Sequence, residues 1–138
     1  MRCQGLPLHA APARTGREAE RPALPLPALD GLTQSTGFHD MAPLRAADQG
    51  GLTYAFLSPV FDSVSKVGYK SARFDEQELR STLAACPRPV YALGGVTPDR
   101  VPQLADLGFA GAAVIGHVWG SDDPVGSLRA LLDAAERV

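Results

Sequence analysis

From Gly31 to the C-terminus the chain repeats one phrase four times: a short apolar run, a Gly- or Pro-marked turn, then a stretch with helical spacing. Strands that alternate with helices of roughly ten residues imply right-handed βαβ units and a parallel sheet. The run Tyr54–Phe61 is the clearest of the four. It is continuously apolar, as a strand buried between helical layers is. It breaks at Ser58-Pro59 and leads into a hydroxyl-rich loop that reaches Lys66. A polar loop straight after a buried strand is where α/β folds place their chemistry. No Asn-Gly hairpin signal stands between alternating runs. The class is α/β.

Taken in order, Gly31–Phe38 reads as a short strand, and Met41 to Gln49 as a helix with Asp40 as N-cap and Gly50-Gly51 as its stop. After the strand Tyr54–Phe61, Asp75-Glu76-Gln77-Glu78 has the form of a capping box. The helix it opens runs to Ala85, where Cys86-Pro87 and Pro89 end it. Pro89–Leu93 is the next strand, closed by Gly94-Gly95. Thr97-Pro98 then starts a helix with Val101, Leu104, Ala105 and Leu107 on its core side, ended by Gly108. Phe109–Val118 reads as a strand that ends near Gly116. Asp123-Pro124 opens a last helix with Leu128, Leu131, Leu132 and Ala135 at helical spacing. Upstream, Gly5–His9 has the texture of a strand, although Pro7 suits a central strand poorly. Pro12, Pro22, Pro25 and Pro27 forbid regular structure over most of residues 10–31. The expected division is an irregular segment over residues 1–30 and an α/β domain over 31–138.

Two closures compete for such a chain. A dinucleotide-binding sheet wants G-x-G-x-x-G after its first strand, and the sequence has none. A (β/α)8 TIM-type barrel wants phosphate-cradling turns after its last two strands. Gly94-Gly95 and Ile115-Gly116 stand at those two places. A complete barrel needs at least ~200 residues, so this chain has room for about five βα units, the C-terminal part of a barrel.

Charge and composition narrow the function classes. A net charge of −2 and a pI near 5.9 supply no basic field for nucleic acid or an anionic membrane. No apolar segment approaches the ~20 residues of a membrane span. The N-terminus lacks the apolar core of a signal peptide, so a cytoplasmic location is expected. Cys3 and Cys86 have no close spacing and no third partner, and they read as free thiols rather than a disulfide or zinc site.

Three motifs together carry a resemblance: Phe56-Leu57-Ser58-Pro59-Val60-Phe61-Asp62-Ser63-Val64-Ser65-Lys66, then Tyr91-Ala92-Leu93-Gly94-Gly95-Val96, then Gly108 to Trp119. In order and spacing they resemble the thiamine phosphate synthase / TenI family from about Gly31 to Val138. The synthases join hydroxymethylpyrimidine diphosphate to thiazole phosphate with Mg²⁺ and release pyrophosphate; TenI-type relatives isomerise the thiazole phosphate. The resemblance implies that Ser63, Ser65 and Lys66 meet phosphate. Hydroxyls can bond its oxygens, and the Lys66 ammonium can neutralise charge on a leaving pyrophosphate. It also implies that Gly94, Gly95, Ile115 and Gly116 hold the thiazole phosphate through backbone N–H groups. Phosphorylated thiazole and pyrimidine ligands are the implied partners, with self-association into a homo-oligomer left open.

The departures from the family are specific. The arginine–lysine clamp and one Mg²⁺-ligand aspartate belong to strands absent from this chain. The other aspartate should follow Gly5–His9, where Ala10-Ala11-Pro12-Ala13 offers no carboxylate. No metal ligand is therefore assigned. Gly37 and Gly116 stand where serines are common, and Pro59 where TenI-type enzymes carry a histidine. Plainer readings stand beside each site residue. Lys66 suits a solvated loop, and Ser63 and Ser65 suit hydroxyls that cap local backbone. His39 can face the barrel mouth or bond backbone. His117 lies one step past the phosphate turn, where a base would be well placed, or ends a packed strand. Asp62 suits a loop cap, and Asp122 and Asp123 suit a helix start.

Overall fold

A computed structural model describes residues 8–10, 33–46, 51–61 and 74–138. Strands β1 (Leu8–Ala10), β2 (Gln34–Phe38), β3 (Tyr54–Leu57), β4 (Val90–Leu93) and β5 (Gly111–Ala113) form one sheet. They lie side by side in chain order, and every neighbouring pair is parallel. A doubly wound sheet reverses its strand order at a switch point. This order never reverses, as in the wall of a barrel. The upstream strand lies at Leu8–Ala10, paired with Gln34–Thr36. It takes in Leu8 and His9 of the expected Gly5–His9 phrase, whose residues 5–7 lie outside the described residues.

The helices are α1 (Met41–Ala46), α2 (Glu76–Ala85), α3 (Val101–Leu107), α4 (Gly116–Trp119) and α5 (Pro124–Ala135). Ala55 and Leu57 of β3 and Val90 and Ala92 of β4 turn one face of the sheet toward them. Met41, Leu44, Leu79, Leu83, Leu104 and Leu107 cover that face and complete the core. The opposite face carries the alternate side chains. There the rings of Tyr54, Phe56 and Tyr91 meet edge to face or tilted, with centroids 5.4–6.0 Å apart. One row crosses four strands in register: Gly37, Phe56, Tyr91, Gly111. A Cβ at Gly111 would come within 3.0 Å of the Tyr91 ring, so this glycine makes the space that the tyrosine fills.

Helix ends follow the sequence signals with informative exceptions. Asp75 accepts a hydrogen bond from the Glu78 backbone N–H at 2.8 Å, half of the expected capping box. The Glu78 carboxylate instead accepts from Arg45 at 2.6 Å and ties α2 to α1. The Thr97 side chain makes no capping bond, and Pro98–Arg100 form a 3₁₀ turn that leads into α3. Gly108 ends α3 at φ +97°, the left-handed conformation that glycine adopts without a Cβ penalty.

The largest departure from the sequence reading is at Phe109–Val118. Only Gly111–Ala113 is strand there. At Ile115 the chain turns, and α4 follows from Gly116. Its apolar run is not a buried strand end, for Ile115 and Trp119 are 65% and 76% exposed. β3 likewise ends at Leu57, and Ser58–Phe61 is loop. Of the Met41–Gln49 helix, Met41–Ala46 is helical, and residues 47–49 lie outside the described residues.

Candidate functional site

The carboxyl ends of β3, β4 and β5 come together around the Gly94-Gly95 turn. Gly94 and Gly95 have φ of +97° and +64°, which other residues rarely adopt. A Cβ on Gly94 would lie 3.0 Å from both Cα and Cβ of Pro59, so the turn also packs against the loop after β3. That loop is sewn down on both sides. Ser58 N–H donates to the Phe38 carbonyl at 2.9 Å, Val60 N–H to the Leu93 carbonyl at 3.0 Å, and Phe61 N–H to the Gly94 carbonyl at 3.3 Å.

Arg100 completes the pattern. Its Nη1 donates to the Gly95 carbonyl at 2.7 Å, and its guanidinium carbon lies 4.8 Å from the Phe61 ring centroid. Three consecutive carbonyls, those of Leu93, Gly94 and Gly95, are thus each taken up by a donor. The signal for Arg100 is visible in the sequence only as part of a helix start, Thr-Pro-Asp-Arg, one turn beyond the glycines.

On the β5 side of the glycine turn is a pocket of about 40 Å³, lined by Leu93, Gly94, Gly95, Val96, Ala113, Val114, Ile115, Gly116 and His117. A single water needs roughly 10–15 Å³ of such space, so the pocket has room for a small tetrahedral group. Gly94, Gly95, Ile115, Gly116 and His117, singled out separately along the sequence, therefore line one cavity. His117 is carried by α4 rather than by a strand end. The Thr97 hydroxyl is shielded from solvent and completes no well-aligned hydrogen bond. It still lies near enough to Asp99 to hold that carboxyl below its ordinary range, helped by Asp99's own backbone N–H, Arg100 and His117.

His39 belongs to a different cluster. Its Nδ1 lies 2.7 Å from the Ser58 carbonyl, which fixes Nδ1 as the protonated, donating nitrogen. The ring is exposed and latches the end of β2 to the loop after β3. Ser63, Ser65 and Lys66 lie outside the described residues. Asp123 accepts from Gly126 N–H at 2.9 Å and is the N-cap of α5. Among the described residues no three His, Cys, Asp or Glu side chains gather as a metal ion requires. The residues that line the pocket include no carboxylate that could hold Mg²⁺. Among the described residues, too, no helix is long and apolar enough to cross a membrane.

Comparison with known proteins assigns the lineage. Residues 31–118 match the profile of the TMP-TENI family, described as thiamine monophosphate synthase. A thiamine-phosphate synthase of Natronomonas pharaonis is 32% identical over 95 residues, which cover 68% of this chain and 44% of the relative. One from Lactiplantibacillus plantarum is 34% identical over 107 residues, 77% of this chain and 47% of the relative. The solved thiamine phosphate pyrophosphorylase of Pyrococcus furiosus superposes with a TM-score of 0.63 at 23% identity, over 78% of this chain and 50% of that one. The fold is thus the C-terminal part of a TIM-type barrel, and the chain spans about half the length of the curated relatives it matches. It belongs to the thiamine monophosphate synthase (TMP-TENI) family.

Proposed function

We propose that this chain serves thiamine biosynthesis by carrying the thiazole-phosphate half of a thiamine phosphate synthase site. The observation that supports this most directly is the single pocket shared by the Gly94-Gly95 turn and Ile115-Gly116-His117. A phosphate monoester there would accept hydrogen bonds from backbone N–H groups of both turns, which cost no side-chain entropy to order. The thiazole would then project toward the loop after β3. In the proposed reaction the thiazole nitrogen attacks the methylene of hydroxymethylpyrimidine diphosphate. The new C–N bond forms as the C–O bond to pyrophosphate breaks, and the electron pair leaves on pyrophosphate. Ser63 and Ser65 are assigned to bond its oxygens, and Lys66 to neutralise its charge. No step is drawn through Mg²⁺.

The test is calorimetric titration of thiazole phosphate, followed by an assay of both substrates with Mg²⁺ for thiamine phosphate. Binding with turnover supports the synthase reading. Binding without turnover leaves a phosphate-ligand module and removes the chemistry. Lys66→Ala should abolish turnover while thiazole phosphate still binds. The tautomerase reading is weaker, because Pro59 occupies the position of that family's base and cannot move a proton.

A further inference from the structure

We propose that Arg100 is the positioning residue of the phosphate pocket, holding the glycine turn and the loop after β3 in one fixed relation. The proposal rests on the reading of that pocket as a phosphate site and adds a residue that the family motifs do not single out.

The peptide group is planar and trans, so a carbonyl and the N–H of the same peptide point in opposite directions. Pinning the Gly94 carbonyl to Phe61 N–H therefore aims the Gly95 N–H the other way. Pinning the Gly95 carbonyl to Arg100 does the same for the Val96 N–H. The donors on the carbonyl side belong to the loop after β3 and to Arg100. The pocket, with Ile115, Gly116 and His117, lies on the β5 side. Each bond to a carbonyl thus turns one N–H toward the pocket. Gly94 and Gly95 have the wide conformational freedom of glycine, and without these anchors their N–H groups would sample many directions. Val60 and Phe61 anchor the first two carbonyls through backbone; the third depends on a side chain, and that side chain is Arg100.

Its second contact explains why arginine suits the position. The guanidinium lies over the Phe61 ring while Nη1 reaches Gly95. A planar fork can stack and donate at once, and a lysine ammonium cannot. Phe61 immediately precedes Asp62 and the segment with Ser63, Ser65 and Lys66. Arg100 therefore ties the loop that leads into the proposed pyrophosphate donors to the turn proposed to hold the thiazole phosphate. It acts through the backbone it holds and touches no ligand.

The experiment measures affinity for inorganic phosphate and for thiazole phosphate by calorimetry, at a temperature where every variant is folded by circular dichroism. Loss of a charge-assisted hydrogen bond should weaken both probes roughly 10- to 100-fold in Arg100→Ala. Added methylguanidinium, below denaturing concentration, should recover part of that loss. Arg100→Lys keeps the charge and the fold and should still bind several-fold more weakly than wild type. The slowing of amide hydrogen exchange at Val96 that thiazole phosphate produces in the wild-type chain should be smaller in both variants. Arg100→Ala within twofold of wild type, or Arg100→Lys equal to it, overturns the role of Arg100 and leaves the pocket standing. A wild-type chain that binds neither probe overturns the pocket reading and this proposal with it.

Discussion

Gly94 is constrained twice, by a left-handed φ and by Pro59 packed where a side chain would begin. The first constraint alone costs a substituted alanine about 1 kcal/mol. The second requires one of two bonded loops to move. Gly94→Ala should therefore lower the melting temperature and remove phosphate binding together, measured by thermal shift with and without thiazole phosphate. Gly37 is the opposite case: a Cβ there meets nothing within 4 Å. Gly37→Ser should alter stability by no more than about 0.5 kcal/mol in a urea melt. At this scale the sequence was readable where a residue type has one use. Paired glycines after an apolar strand mean a turn with exposed N–H groups. Arg100 was not readable, because its role depends on two partners from loops separated in the chain, Gly95 and Phe61.

At the scale of elements, the aspartate caps of α2 and α5 and the ends of β2 and β4 were legible, whereas the Thr97 cap and the ends of β3 and β5 were not. Asp123 receives the Gly126 N–H, and Asp75 the Glu78 N–H, both from residues three positions on. Asp123→Ala should cost about 1 kcal/mol of stability in a denaturant melt. Gly126→Ala should cost up to about as much, since its Cβ would overlap the Asp123 carboxylate and force it to give up the cap bond. The stretch Phe109–Val118 misled because periodicity cannot separate a continuous apolar strand from a short helix that leaves the sheet. Pairing settles it: the register with β4 runs only from Tyr91–Gly111 to Leu93–Ala113. The exposed tie between α2 and α3 is likewise tertiary. Arg80 donates to the Asp106 carboxylate and carbonyl, and this holds the Asp106 carboxyl below its ordinary range. A depressed folded pKa means that its contribution is present above the unfolded value of about 3.9 and fades as pH falls through the folded one. Asp106→Asn should flatten the acid limb of melting temperature against pH, most visibly at low ionic strength.

For the molecule as a whole, the unreversed strand order and the relatives' lengths agree on a barrel segment. The number of strands could be judged from chain length, because each βα unit needs a minimum span. What length could not convey is the shape left at β5. There the sheet edge, α3 and α5 enclose a groove of about 560 Å³ lined by Val101, Leu104, Phe109, Leu128, Leu131 and Leu132 among others. Leu128 and Leu132 have the spacing of core residues, yet they are 48% and 55% exposed. Helical periodicity identifies a face and does not say whether anything covers it.

Trp119, the chain's sole tryptophan, lines that groove at 76% exposure. The groove thus carries its own fluorophore. Its emission should be that of a hydrated indole in the isolated chain, quenched readily by iodide or acrylamide. Any polypeptide or detergent that fills the groove should shift the emission to shorter wavelength and shield it. The small pocket beside the glycine turn, which shares Val96 and Val114 with the groove, can be titrated with phosphate on the same sample by calorimetry. Occupancy of the two surfaces can therefore be followed separately without a label.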